Sequence, residues 1–252
     1  MSMSYQVPVR MTRWMPCLES TMKANLKSVY RGFTLIEMAM VLFIVALLLG
    51  GLLPTLSGQV EQRRVSETRK QLDEIQQALI GFAIINGRLP CPAVGITQTG
   101  QPNAGVENPP CQAVGTNGGV LPWVTLGVSE TDAWGRRFTY RVTPAFAIVG
   151  TPFQLSSTPN LNVGVTTTST DTSVAAGVPA VVVSHGTNGL GAYTPAGGAP
   201  PTVATGDELD NVATNNNHFV SHDFVQNGFD DLVIWISPNT LMNRMVAAGK
   251  LP

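Results

Sequence analysis

Arg31-Gly32-Phe33-Thr34-Leu35-Ile36-Glu37 opens the stretch that decides the fold, and sixteen residues without a charge, Met38 to Leu53, follow it. A basic segment ends in one glycine. An apolar segment then begins whose only ionisable residue is Glu37, five positions in. Phe33 to Leu53 is 21 residues, about 31 Å as a helix, which matches a hydrocarbon core of roughly 30 Å. A carboxylate inside such a span costs about 2–4 kcal/mol on insertion scales, so it needs a reason. Cleavage after Gly32 supplies one. The cut leaves a positive α-amino group on Phe33, one helical turn from Glu37, in the same subunit or on a neighbour. The alternative is a signal anchor whose Glu37 snorkels toward the cytoplasmic headgroups.

Charge sets the topology. Before the cut stand five basic residues (Arg10, Arg13, Lys23, Lys27, Arg31) against Glu19; after it, ten basic face fifteen acidic. The positive flank places residues 1–32 in the cytoplasm and the body in the periplasm or outside. An acidic body without a basic patch argues against a nucleic-acid partner. A secretory signal would need a shorter apolar core and a small-residue cleavage site; Thr55-Leu56-Ser57 fits poorly and leaves Glu37 without a role. Met22 to Gly32 is a compact basic leader by itself, so translation is expected to start at Met22. Two cysteines then remain, Cys91 and Cys111, with nineteen residues between them. In an oxidising compartment they read as a disulfide, contributing about 3 kcal/mol in the chain-entropy model. Free thiols or metal ligation are the alternatives, and no histidine lies beside either cysteine.

Gly32-Phe33-Thr34-Leu35-Ile36-Glu37 resembles the processing site of type IV prepilins and of the pseudopilins of type II secretion, and the match continues through the apolar run to Pro54. The resemblance implies cleavage after Gly32 by a prepilin peptidase, N-methylation of Phe33, and a part for Glu37 in filament assembly. It also implies other pilin or pseudopilin subunits and an inner-membrane assembly platform as partners.

The helical pattern continues past the membrane segment. Leu56, Val60, Leu72, Ile75, Leu79 and Phe82 fall on one stripe, while Arg63–Glu67, Arg69–Asp73 and Lys70–Glu74 are i,i+4 ion pairs on the other face. One helix is expected from Phe33 to about Asn86, roughly 80 Å long, with a kink at Pro54 and an end at Asn86-Gly87. Residues 33–53 are its transmembrane half and 54–86 its amphipathic half; 87–252 form the head. Strands are expected at Val120–Leu126, Phe138–Val142, Ala145–Val149, Ala180–Val183 and Asp231–Ile236. Cys91 to about Gly119 reads as a loop tied by the disulfide, and Thr151–Gly177 and Gly186–Asn217 as long connections. Ser237 and Pro238 start a last helix whose Leu241, Met245 and Ala248 share a face before Gly249. The fold class is α+β: a pilin-like lollipop, its long N-terminal helix packed on a small antiparallel sheet, with a short C-terminal helix.

Asp132-Ala133-Trp134-Gly135-Arg136-Arg137-Phe138-Thr139-Tyr140 resembles the turn entering the sheet of major pseudopilins, with alanine in place of proline. Asp132 is expected to cap the turn, Gly135 to take a positive φ, and Trp134 to bury its ring against the stem. The same resemblance implies calcium in a late loop, for which Asn188, Asp207 and Asp210 are the candidate ligands; the alternative is a solvated acidic loop. Asp230-Asp231 reads as a solvated turn. His185, His218 and His222 lack the three or four convergent partners of a zinc site. Neither Ser184-His185 nor Ser221-His222 sits in a nucleophile elbow. The chain is therefore expected to be a non-enzymatic, single-pass inner-membrane protein with a periplasmic head, a structural subunit of a pseudopilus or pilus. The alternative is a minor tip subunit binding secreted cargo, DNA or a surface.

Overall fold

In the computed structural model the described residues are 32–111, 118–168, 171–198, 200, 206–212, 217–225 and 228–251, and the side chains of 50–57 lie outside them. The expected leader, apart from Gly32, is therefore outside the described residues. The chain divides into two compact units, one up to Leu52 and one from Leu53. Helix α1 (Leu35–Asn86) contributes to both. It is followed by β1 (Gly118–Val120), α2 (Trp123–Leu126), β2 (Thr139–Val142), a 3-10 turn at Pro144–Phe146, β3 (Leu161–Gly164), β4 (Ala175–Val178), β5 (Ala180–Ser184), α3 (Asp207–Val212), β6 (His218–Val220), β7 (Leu232–Trp235) and α4 (Pro238–Ala247).

In the first unit every described side chain from Phe33 to Leu49 is exposed, including Phe33 at 80% and Leu35 at 89%. Apart from Thr34 and Glu37 this stretch is apolar on every side, a surface that needs lipid or neighbouring helices. Among the described residues no helix is long and apolar enough to cross a membrane. The expected span Phe33–Leu53 runs beyond Leu49, the last of its residues whose side chain is described. The expected kink at Pro54 likewise falls among the side chains outside the described set.

In the second unit α1 buries Thr68, Leu72, Ile75, Leu79, Ile80 and Ala83, at the three- and four-residue steps of one helical face. Val60, placed on that stripe from sequence, is 50% exposed, so the buried face begins a few turns later than expected. Phe82 is half-buried, with the Arg88 guanidinium 5.3 Å from its ring centre. Gly87, with φ +71, ends the helix in the left-handed conformation while its N–H still bonds the Ala83 carbonyl.

The first sheet has the order β1-β2-β5-β7, antiparallel throughout. A second sheet, β4-β3-β6, pairs β3 and β6 in parallel. The expected small antiparallel sheet is the first of these, and the second sheet adds to it. Period-two alternation on β5 explains the layering. Ala180 and Val182 pack with the α1 core, whereas Val181 and Val183 pack with Leu161, Val163 and Phe219 of the second sheet. Buried on both faces, β5 reads as the continuous apolar run Ala-Val-Val-Val.

Two expected strands are corrected. Val120–Leu126 divides into β1 and α2, because Pro122, at the N-cap of α2, has no N–H to donate to a ladder. Ala145–Val149 is instead occupied at its start by the 3-10 turn, with Pro144 at its first position. The connections expected over Thr151–Gly177 and Gly186–Asn217 contain β3, most of β4, and α3. Helix α4 begins at Pro238 as expected and buries Leu241 and Met245, although Ser237 makes no side-chain capping bond. Each buried side chain of that size contributes about 1.5–3 kcal/mol.

The loop after α1 is held at several points. Cys91 and Cys111 are disulfide-bonded with Cα atoms 5.7 Å apart. Arg88 meets Glu107 through two bonds of 2.8 and 2.7 Å, and Glu107 also accepts the Cys91 N–H at 3.0 Å. Replacing both cysteines by serine is expected to lower stability by about 2–4 kcal/mol. Urea unfolding of the detergent-solubilised chain measures this, and an unchanged midpoint would refute it.

Candidate functional site

Two regions carry polar chemistry, one at the start of α1 and one in the head. At the first, Thr34 and Glu37 cap the helix reciprocally. Glu37 Oε2 accepts the Thr34 N–H and the Thr34 hydroxyl, both at 2.9 Å, and the Glu37 N–H reaches Thr34 Oγ1 at 3.3 Å. This is the capping-box arrangement, in which two otherwise unpaired helix-start donors are satisfied. Glu37 is thus held in the first turn of its own helix, four residues after Phe33.

In the head, Asp132 organises the turn into β2. Its Oδ1 accepts the N–H groups of Trp134 (2.9 Å) and Arg136 (3.0 Å), and its Oδ2 accepts the Ser184 hydroxyl at 2.7 Å. Burial nevertheless raises its pKa, opposed by these donors. Gly135 takes φ +79. Trp134 is half-buried, with its indole N–H unpartnered; the Ala133 N–H reaches Thr68 Oγ1 of α1 at 3.3 Å.

The three residues chosen from sequence as calcium ligands are each engaged separately. Asn188 donates its side-chain N–H to Glu208 Oε1 (2.8 Å) and accepts the Leu190 N–H (2.9 Å). Asp207 bonds His222 at 3.1 Å, and Asp210 bonds His218 at 3.2 Å. A different set converges. One carboxylate oxygen from each of Glu208, Asp230 and Asp231 lies within 4.8 Å of the other two. Helix α3 presents Glu208 and Asn211 to the interior, three residues apart, and Asn211 donates to Asp231 Oδ2 at 2.8 Å. Asn188 and Asp230 donate backbone N–H groups to Asp230 Oδ2 (2.8 Å) and Glu208 Oε1 (3.0 Å) respectively. Burial raises Asp230 to about 6, assisted by Glu208, and pushes Asp231 well up.

Behind them stands His185. It is fully buried; Nε2 contacts Thr139 Oγ1 at 2.6 Å and Nδ1 lies 3.7 Å from Asp231 Oδ1. Thr139, His185 and Asp231 follow the order of a nucleophile, base and acid. The 3.7 Å gap exceeds a hydrogen bond, and burial pulls the imidazole down to about 4, making it a weak base. His218 and His222 are bonded to the carbonyls of Asp171 and Asp223 as well as to their aspartates.

A groove of about 790 Å³ reaches the acidic cluster and is lined by Glu61, His222, Phe224, Phe229, Glu208 and Asp230. Gly186, at φ +53, fits against Asp230: an added Cβ would stand 2.3 Å from its carbonyl oxygen. Gly186→Ala is therefore expected to lower stability by about 2 kcal/mol or more. Thermal unfolding tests this, and a wild-type Tm would contradict the tight fit.

Sequence reasoning missed Glu208, Asp231 and His185 as a group. The adjacent aspartates were a visible signal, but their fully buried partners were not. A model of the prokaryotic N-terminal methylation motif matches residues 27–53. No curated protein and no solved structure matches the chain. The motif supports a type IV pilin-like or pseudopilin subunit in general, processed by a prepilin peptidase and assembled with other pilin subunits.

Proposed function

We propose that the chain is a structural, non-enzymatic subunit of a type II secretion pseudopilus or a type IV pilus-like filament. A prepilin peptidase cuts after Gly32, the new amine of Phe33 is methylated, and the apolar helix starting there packs with those of neighbours. The carrying observation is the methylation motif over residues 27–53, with Glu37 as the single ionisable side chain of the apolar run Phe33–Leu53. The exposed surface of Phe33–Leu49, apolar apart from Thr34 and Glu37, supports it, because such a surface is stable only among lipid tails or other stems. The turn at Asp132–Tyr140 supports the pseudopilin side of the reading.

Intact-mass analysis of the chain from its native membrane tests the proposal. A terminus at Phe33 carrying one added methyl group is expected. An uncut chain, or trimming after Leu53, would refute it. A second reading, a minor tip subunit, is favoured by the folded 88–111 loop and by the groove with Phe224 70% exposed at its lining. Labelling along the whole filament supports a major subunit; labelling at ends alone supports the tip.

A further inference from the structure

Arg88 and Arg137 show how this head treats an enclosed guanidinium: each faces a carboxylate, Glu107 and Glu130 respectively. Arg141 of β2 is treated differently. It is 3% exposed, yet among the described residues no carboxylate is ion-paired with it. Its Nε and Nη1 are buried without a hydrogen-bond partner. Nη2 has Asn217 Oδ1 at 3.5 Å, beyond the roughly 2.7–3.2 Å of an ordinary bond. Arginine is hardly ever enclosed unless it is paired.

The strand explains why no partner stands beside it. Tyr140 and Val142 enter the core against α1, so alternation turns Arg141 toward the second sheet. Its cross-strand neighbours are Gly118 of β1 and Val181 of β5, one without a side chain and one apolar. The residues between 112 and 227 that lie outside the described set include no aspartate or glutamate. Burial pulls the guanidinium down to about 10, which leaves it charged at neutral pH.

Arg141 also lines a cavity of about 180 Å³, and it is the one charged residue among the described lining. Phe219, Tyr193, Val212 and Pro200 give that cavity an apolar wall. It is smaller than the roughly 300–1,000 Å³ of drug-sized sites, a size for an acid of a few carbons. One positive charge among apolar walls favours a monoanion, since a dianion brings a second charge that nothing meets. The planar guanidinium matches a carboxylate in shape and donors.

We infer that this cavity binds one compact carboxylate, its charge against the Arg141 guanidinium and its carbon chain against Phe219, Tyr193 and Val212. The acid supplies the counter-charge that the head's own sequence withholds. The site stands independently of filament assembly and shares no residue with the acidic cluster between α3 and β7.

The test uses the full chain in detergent, titrated with acetate, propionate, acetamide and sulfate at constant ionic strength. Thermal unfolding and the NMR shift of the Arg141 Nε–H in isotope-labelled arginine are the readouts. Propionate is expected to saturate one site with a Kd between about 10⁻⁴ and 10⁻² M and to raise Tm. Acetate should bind about fourfold more weakly, the value of one buried CH₂. Acetamide, uncharged and of the same shape, and sulfate should each bind at least tenfold more weakly than propionate. Arg141→Met should abolish saturable binding while leaving Tm without ligand at or above the wild-type value, because it removes an unpaired buried charge. Where that variant fails to fold, Arg141→Lys, which keeps the charge without the fork, should weaken propionate at least threefold. A blocked tripeptide whose only carboxylate is a glutamate side chain distinguishes the sources. Displacement of propionate by it supports an acid from a neighbouring chain, and resistance supports a free organic acid. No saturable carboxylate binding would overturn the inference, as would acetamide or sulfate binding as tightly as propionate, or binding unchanged in the Arg141 variants.

Discussion

Replacing Glu37 by alanine is expected to leave membrane insertion and cleavage after Gly32 intact while lowering incorporation into filaments by roughly 100-fold or more. The reason is charge. In the proposed filament, each subunit cut at Gly32–Phe33 would bring a positive amine into a bundle of apolar stems, where the Glu37 carboxylate of a neighbour would neutralise it in one register. Without that carboxylate the amine is uncompensated in an apolar environment, a penalty of several kcal/mol, and each 1.4 kcal/mol is a factor of ten. Glu37 also caps its own helix through Thr34, so alanine removes two roles at once. Glu37→Gln separates them, since glutamine serves a capping box equally but carries no charge. Processing is followed by the mobility of the cleaved chain and assembly by the filament fraction after shearing. A Glu37→Gln chain that assembles normally would refute charge pairing and leave capping as the essential role.

The elements legible from sequence are those whose signal is local and long. The apolar run and the end of α1 at Asn86-Gly87 need only composition, length and one glycine. Strand β5 announces itself because both of its faces are buried. Strand β3 does not: Leu161-Asn162-Val163-Gly164 offers one alternation, and its parallel partner β6 begins at His218, far along the chain. The acidic cluster shows a subtler limit. Asp207 and Asp210 share one three-residue spacing on α3, and Glu208 and Asn211 share another. Sequence cannot say which pair faces inward, because packing against β6 and the turn before β7 sets the helix phase.

Arg137→Met is expected to destabilise the head by about 3–5 kcal/mol, the range for removing one partner of a buried ion pair. No local feature of the turn at Asp132–Tyr140 signals this role, because apart from Glu130 the partners of Arg137 lie about forty residues back. The Arg137 side chain is fully buried, and all three guanidinium nitrogens are engaged. Nε and Nη2 donate to Glu130 Oε1 at 2.9 and 2.8 Å. Nη1 reaches the carbonyls of Gly95 (2.8 Å) and Thr97 (2.7 Å), while Nη2 also reaches Thr99 Oγ1 at 3.0 Å. The guanidinium carbon stands 4.5 Å from the Trp123 ring centre. Methionine preserves much of the volume and the stacking, but leaves the Gly95 and Thr97 carbonyls without this donor and Glu130 without its cation. Lysine keeps the charge and loses the planar fork, so Arg137→Lys should cost less, about 1.5–3 kcal/mol. Urea unfolding should show lower midpoints with an unchanged slope, and limited proteolysis should open the chain near Gly95–Thr99 first. A loss below 1 kcal/mol for Arg137→Met, with the loop still protected, would mean that the disulfide and Arg88–Glu107 alone hold this surface in place.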